Sequence, residues 1–242
     1  PRGKVTGGSS AINGQVFLRG IPADYNAWAE SGNDLWSFEK VLPYFIRMEK
    51  DLAFGDKKFH GNNGPIPIRR IPKEDCPANS SIFWEACLAE GLSETMDAND
   101  PDSTGVGPRP LNNYGGLRMG TALTYLPEAR NRSNLTIVDR TEVKKIILND
   151  NRAMGVEIVH SGITERIYGG EIIVTSGVFN SPKLLMLSGL GDANYLTSLG
   201  IKVKQDLPGV GQNLQDHFEI YIQHKSKKKE TLYNLSTNYL TQ

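Results

Sequence analysis

The stretch EIIVTSGVFNSPKLLMLSGLG, residues 171–191, has the pattern of a β-strand, a turn of small residues and a helix. The strand, residues 171–174, is apolar on both faces, as expected of a buried parallel strand. Asn180 or Ser181 can cap the helix, and Gly189 can end it. Such a unit usually faces a phosphate-bearing ligand, although a buried unit without a ligand has the same pattern.

The segment before this unit favours β structure. Short apolar or β-branched runs follow one another at residues 135–138, 143–148, 155–159 and 163–168. Asn149-Asp150-Asn151 and Ser161-Gly162 separate three of these runs and are typical of hairpin turns. The sequence therefore predicts antiparallel strands in this region.

A second run of small residues, GKVTGGSSAING, occupies residues 3–14. Because Gly7 and Gly8 lack Cβ atoms, a ligand can approach the backbone closely there. Ser9 or Ser10 can cap the helical turn that follows, and the free amides of that turn can stabilise negative charge. The alternative is a helix-capping turn without a ligand.

Between these two glycine-rich runs the sequence predicts helices and loops. Residues 38–46 have helical spacing after Ser37, and Pro43 predicts a break into a short turn and a second helix. Asn79 can cap another helix that ends near Gly91. Two segments rich in turn-forming residues are predicted to be irregular, at residues 57–72 and 97–120.

The composition excludes some classes of function. The 242 residues contain 27 basic and 27 acidic side chains, so no long-range field would attract nucleic acid, and the short basic run at 225–229 is interpreted as a solvated loop. No apolar stretch is long enough to predict a transmembrane segment. Cys76 and Cys87 are predicted to be reduced, and the cytoplasm is slightly favoured.

The glycine-rich clusters at residues 3–14 and 176–191 together resemble the two signature patterns of the glucose-methanol-choline (GMC) oxidoreductase family. The run LPGVGQNLQDH, residues 207–217, follows them and strengthens the resemblance. The resemblance is strongest to the choline dehydrogenase and alcohol dehydrogenase branch, and it covers nearly the whole chain. It implies a fold class of α/β plus α+β, in which a Rossmann-like FAD-binding domain is interleaved with a substrate domain that contains an antiparallel sheet.

The same resemblance implies the domain boundaries. Residues 1–36 and 130–217 are assigned to the FAD-binding domain, and residues 37–129 and 218–242 to the substrate-binding domain. Both ends of the sequence are expected to be truncations, because the family's N-terminal GxGxxG turn and its C-terminal catalytic histidine are both missing.

The resemblance further implies FAD as the cofactor. The cofactor-binding residues that it implies are Gly7, Gly8, Ser9, Asn13, Val143, Ser176, Gly177, Asp216 and His217. Asn13 matches a polar contact to the flavin ring, Val143 a backbone contact to the adenine, and Ser176 and Gly177 the approach to the ADP half. Ile12 occupies the position at which some relatives attach FAD through histidine, so the cofactor is expected to be non-covalent.

The implied activity is oxidation of an alcohol, with hydride transfer to flavin N5 and proton removal by a histidine outside this chain. No catalytic residue is therefore expected among its four histidines. His60 is predicted to order its own loop, His217 to be structural or next to the cofactor, and His160 and His224 to be packing or solvent residues. No cluster has metal-ligand spacing. The alternatives are an FAD-containing hydroxynitrile lyase and a non-catalytic fragment. The electron acceptor and the particular alcohol stay open.

Overall fold

The computed structural model describes residues 2–222 and divides them into two compact units. The first unit runs to Leu135, and the second begins at Thr136. His224 and the basic run 225–229 lie outside the described residues. Within the part of the chain that is described, no helix combines the length and the apolar character needed to cross a bilayer.

The first unit consists of helices, short strand pairs and long loops. Its helices are α1 (Pro22–Glu30), α2 (Phe38–Met48), α3 (Ala78–Ala89), α4 (Thr121–Thr124) and α5 (Leu126–Arg130). Its strands are β1 (Glu49–Asp51), β2 (Ile66–Ile68), β3 (Asn113–Tyr114) and β4 (Leu117–Arg118). Single 3₁₀ turns occur at Gly8–Ala11, Asp34–Trp36 and Lys73–Asp75. β1 pairs with β2 in parallel, and β3 pairs with β4 in an antiparallel hairpin.

Helix α2 does not break at Pro43, contrary to the sequence prediction. A proline at this position removes one main-chain hydrogen bond and costs about 3 kcal/mol. The helix is held by packing instead, because Val41 is buried and the ring of Phe45 lies 5.6 Å from that of Tyr25. Tertiary packing therefore outweighs the local preference for a break.

Helix α3 forms where it was predicted, but it begins earlier. Pro77 is its N-cap, so Asn79 lies inside the first turn and does not cap it. The predicted end at Gly91 is confirmed, since this glycine has a φ of 87°. The amides of Gly91 and Leu92 donate to the main-chain oxygens of Leu88 and Cys87, which is a Schellman cap. The irregular segments are confirmed except where β2, β3 and β4 form within them.

The second unit is built on a three-stranded antiparallel meander, β5 (Thr141–Asn149), β6 (Arg152–His160) and β7 (Ile163–Tyr168). Both predicted hairpin turns are confirmed. Asp150, Ser161 and Gly162 have φ values of 48°, 50° and 81°, as two-residue hairpins require. The unit also contains α6 (Gly177–Leu187), β8 (Leu190–Gly191), α7 (Ala193–Ser198) and β9 (Gln205–Asp206), with β8 and β9 paired in parallel.

Two predicted strands of this unit do not form. Residues 171–175 have no strand partner among residues 2–222, and Ile173 is 78% exposed. Residues 135–138 are likewise irregular, and Ile137 and Val138 are about half exposed. An apolar run indicates a preference for burial, but a strand also needs a neighbour that supplies its hydrogen bonds.

Helix α6 begins earlier than the sequence predicted. Ser176 is its N-cap and Gly177, with a φ of 86°, turns the chain into the helix, so Asn180 and Ser181 fall inside it rather than at its cap. The predicted end at Gly189 is confirmed by a φ of 89°. Just before that end, the Ser188 hydroxyl accepts from the Ile146 amide of β5 at 2.7 Å. Helix α6 is thereby attached to β5.

Candidate functional site

The loop that contains Gly7, Gly8 and Ser9 closes in a single 3₁₀ turn, Gly8–Ala11. Gly7 and Gly8 have φ values of 90° and 54°, a left-handed conformation that favours glycine. The predicted serine caps are wrong, because Gly7 occupies the N-cap and Ser10 Oγ donates to the Gly7 main-chain oxygen at 2.6 Å. Ser9 Oγ instead accepts from the Gly3 amide at 3.2 Å.

The glycines of this loop differ in what surrounds them. A Cβ on Gly3 would collide with the main chain of Gly8, so Gly3 is needed for close packing. A Cβ on Gly7 would lie 3.3 Å from the Cβ of Ala122. A Cβ on Gly8 would have nothing within 4 Å. Gly8 therefore presents bare backbone to open space that a ligand can occupy.

The loop is held in place by the residues around the start of α4. The Thr121 amide donates to Ser10 Oγ at 3.0 Å, and its hydroxyl donates to the Gly7 main-chain oxygen at 3.4 Å. The sequence did not predict this support, because the partners are 111 and 114 positions apart and no local pattern connects them.

Asn13 is exposed at the end of this loop and is fixed by Arg118. Nη1 of Arg118 lies 2.6 Å from both the main-chain oxygen and Oδ1 of Asn13. A cavity of about 270 Å³ adjoins this contact and is lined by Ser10, Ala11, Leu117, Arg118, Gly120, Ala122 and Leu123. Predicted residues Gly7, Gly8, Ser9 and Asn13 thus belong to one continuous loop beside open space.

The second unit has a cavity of about 670 Å³ between β5 and α6. Val143 and Ser176, both predicted site residues, line it together. Gly177 follows directly, and a Cβ there would have nothing within 4 Å. Its other lining residues are Thr141, Glu142, Lys144, Lys145, Asn180, Lys183, Leu184 and Leu187. Three lysines and the first amides of α6 suit an anionic ligand.

Asp216 and His217 lie on the exposed segment after β9. The His217 amide donates to Asp216 Oδ1 at 2.9 Å, a contact between neighbouring residues. Their predicted contact with the cofactor stays a prediction.

A buried cluster of charged residues in the first unit was not predicted as a group. It consists of Arg19, Glu49, Asp51, His60, Arg70 and Asp97. His60 Nδ1 lies 3.0 Å from Glu49 and its Nε2 lies 2.7 Å from Asp97. His60 therefore does more than order its own loop, because it joins segments that are far apart in sequence.

Protonation of His60 makes this cluster electrically neutral. Burial by itself would lower the pKa of His60, but hydrogen bonds to Asp51, Asp97 and Glu49 outweigh burial and raise that pKa to about 11. Burial would raise the pKa of Asp51, and hydrogen bonds from His60 and Arg70 instead hold it well below its usual range. The imidazolium and two guanidiniums then balance three carboxylates.

Glu49, Asp51 and His60 also bring three potential metal-ligand atoms within 4.8 Å of one another, a grouping that their sequence spacing did not indicate. A metal ligand must be an unprotonated imidazole, whereas both nitrogens of His60 face carboxylates and donate to them. We therefore interpret the cluster as an ion-pair network rather than a metal site.

Comparison with known proteins finds relatives that agree with one another. A family model described as GMC oxidoreductase matches residues 1–219. An oxygen-dependent choline dehydrogenase from Staphylococcus haemolyticus (strain JCSC1435) is 43% identical over 233 residues, which cover 96% of this chain and 41% of the relative. The chain thus spans about 41% of the length of this curated relative.

Solved structures agree with the sequence comparison. The crystal structure of pyridoxine 4-oxidase from Mesorbium loti matches 86% of this chain and 41% of its own, with a TM-score of 0.80 and 32% identity. An FAD-dependent oxidoreductase from Chaetomium thermophilum matches 89% of this chain and 39% of its own, with a TM-score of 0.81 and 31% identity. These matches confirm the predicted fold class.

Proposed function

This chain belongs to the GMC oxidoreductase family, and from that premise we propose that it forms part of an FAD-dependent enzyme that oxidises the CH–OH group of an alcohol. The observation that carries this proposal is the bare backbone of Gly8, which faces open space in the same loop as Asn13. A flat conjugated ring can approach a main chain closely only where no Cβ intervenes.

The residues present fit FAD in both units, each considered by itself. In the first unit, Gly7, Gly8, Ser9 and Asn13 would contact the flavin ring. Left-handed backbone at both glycines and the open space beside Gly8 support this assignment.

In the second unit, Val143, Ser176 and Gly177 would contact the ADP half. The cavity between β5 and α6 and the open space beside Gly177 support it. The first amides of α6, a helix of 11 residues, have no acceptor within the helix, and the helix dipole favours a negatively charged phosphate at this end. Asp216 and His217 are proposed to lie next to the cofactor on the strength of their family motif alone.

The cofactor is proposed to be held without a covalent bond. Ile12 is exposed next to Asn13, and its hydrocarbon side chain has no atom that can form a bond to a flavin under enzymatic conditions. FAD, when bound, supplies the hydride-accepting chemistry. This chain would supply placement, hydrogen-bond donors and part of the wall of the substrate cavity.

None of the described histidines is proposed as the catalytic base. His60 is buried and donates from both ring nitrogens, and His160 Nδ1 lies 2.8 Å from the Thr141 hydroxyl on the meander. His217 lies on an exposed segment. We therefore propose that proton removal falls to a residue other than these three histidines. The interleaved domains, with residues 1–36 and 130–217 for FAD and residues 37–129 and 218–242 for the substrate, stand as part of the same proposal.

Choline and related small alcohols are the proposed substrates, because the S. haemolyticus relative is named a choline dehydrogenase. The test is anaerobic addition of choline, and separately of other primary alcohols, to the purified full-length protein. We expect a yellow protein whose visible flavin absorption bleaches with at least one alcohol. A colourless protein would contradict FAD binding. A yellow protein that no alcohol bleaches, but that cleaves a cyanohydrin, would identify the lyase alternative.

A further inference from the structure

The guanidinium of Arg118 is directed at the loop of Gly7–Asn13. Its Nη1 lies 2.6 Å from the Asn13 main-chain oxygen, 2.6 Å from Asn13 Oδ1 and 3.5 Å from the Ser10 main-chain oxygen. Since Nη1 carries two hydrogens, the two short contacts use both. Arg118 is half-buried in β4, and no carboxylate within residues 2–222 forms an ion pair with it. The hydrogen bonds that its side chain donates within the described residues all go to Ser10 and Asn13 of this loop.

These contacts fix which end of the Asn13 amide faces outward. Oδ1 accepts from Arg118 and also from the Gln15 amide at 3.0 Å. Both partners are donors only, so the atom that they contact must be the carbonyl oxygen rather than the nitrogen. The NH₂ group of Asn13 is left on the opposite side, and within the described residues it donates no hydrogen bond.

We propose that Arg118 is a positioning residue for the cofactor, because it locks the Asn13 side chain with its NH₂ group turned toward FAD. This inference rests on the proposed function. A free amide can rotate and offer either oxygen or nitrogen to a ligand, whereas a locked amide offers donors only. Donors directed at a flavin stabilise its electron-rich reduced form more than its oxidised form.

Two simpler roles for Arg118 predict different results. If Arg118 acts only through its positive charge, its removal should lower the flavin reduction potential whether or not Asn13 is present. If it only supports the loop, its removal should lower the unfolding temperature without coupling to residue 13. Orientation of Asn13 predicts that the effects of the two residues on FAD are not additive.

The experiment is a double-mutant cycle on the full-length protein, with Arg118→Met, Asn13→Ala and both together. The readouts are the FAD dissociation constant, the flavin reduction potential and the unfolding temperature of the apoprotein. We expect each single variant to weaken FAD binding about tenfold, as for one lost hydrogen bond, and to lower the potential. The double variant should also lose about tenfold, and not about a hundredfold.

Asn13→Asp provides a second test that does not depend on a destabilised loop. An aspartate keeps an oxygen for Arg118 and Gln15 but turns an oxygen, not NH₂, toward the cofactor. We expect its unfolding temperature to match or exceed that of the unmodified protein, while FAD binding weakens at least about tenfold.

Additive losses in the cycle, or an Asn13→Asp protein with unchanged affinity and potential, would overturn the role of Arg118 while FAD binding stands. An unmodified full-length protein that binds no FAD would overturn the proposed function and this inference together.

Discussion

Nε2 of His60 lies 2.7 Å from Oδ2 of Asp97, 37 positions further along the chain. The other ring nitrogen lies 3.0 Å from Glu49 Oε1, and Arg70 donates to Asp97 as well at 2.8 Å. A single buried imidazolium thereby joins three segments of the first unit that are separate in sequence. Two guanidiniums and this imidazolium together neutralise the three carboxylates of the cluster. The stability of this unit therefore depends on His60 being protonated.

The first prediction concerns the pH dependence of stability. The pKa of His60 is raised above its ordinary value of 6.5, to about 11. Its stabilisation is therefore complete below pH 6.5, declines steadily as the pH rises above 6.5, and is gone once the pH has passed about 11. Burial would raise the pKa of Asp97, but hydrogen bonds from His60 and from the Asn99 amide lower it below its ordinary value of 3.8. The contribution of Asp97 to stability is therefore lost as the pH falls below 3.8. We expect the urea midpoint of unfolding to be highest between about pH 3.8 and pH 6.5.

Tryptophan fluorescence reports on this unit, because Trp28, Trp36 and Trp84 all precede Leu135. Midpoints that stay constant from neutral pH to about pH 10 would contradict the protonated state of His60.

The second prediction is that His60→Gln costs about 3 kcal/mol in the free energy of unfolding. Glutamine can keep one hydrogen bond but removes the positive charge, which leaves three carboxylates, two of them fully buried, facing two guanidiniums. Lys40→Gln is the matched control, since it also removes one positive charge from the first unit. Lys40 is exposed and donates to the Asp34 main-chain oxygen, so its loss should cost less than about 0.5 kcal/mol. Equal costs for the two variants would refute a compensated cluster.

Much of this cluster could not be predicted from the sequence, because its members come from five separate segments. One local signal existed. Glu49 and Asp51 stand two residues apart on a strand, so both point to the same buried face. An acidic pair on a buried face requires cations nearby, but the sequence does not reveal that Arg19 and Arg70 supply them.

The third prediction concerns the attachment of α6 to β5. Ser188 Oγ accepts from the Ile146 amide at 2.7 Å and donates to the Leu184 main-chain oxygen at 2.6 Å, and it is buried. Ser188→Ala leaves that amide without its partner, at a cost of about 1–3 kcal/mol. We expect faster hydrogen exchange at the Ile146 amide. Ser198→Ala removes a similar bond from an exposed serine to Tyr195 and should leave that exchange rate unchanged.

In the second unit, elements that depend on local turn-forming residues were correctly predicted from the sequence, whereas a strand that depends on a neighbouring strand was not. The Ser161-Gly162 hairpin follows from two residues that tolerate positive φ, and the end of α6 follows from Gly189. The strand expected at 171–174 requires a neighbouring strand, and its apolar residues do not specify one. The start of α6 was misplaced because Gly177 turns the chain before the expected caps are reached.

The last prediction separates two effects of a side chain at Gly8: occupation of the open space beside it, and strain from its positive φ. Alanine at this position has to adopt a φ of 54°, which costs about 1 kcal/mol, and its methyl group enters the open space. Gly91→Ala is the matched control, because Gly91 also has positive φ, at 87°, and a Cβ there would also meet nothing within 4 Å. Gly91 ends α3 and lies outside the proposed flavin loop, so both variants should lose similar stability while only Gly8→Ala loses FAD. We expect its FAD dissociation constant, measured on the full-length protein, to rise at least about tenfold, because a methyl group would hold the ring away from the backbone amides. If both variants bind FAD equally well, the space beside Gly8 does not hold the flavin.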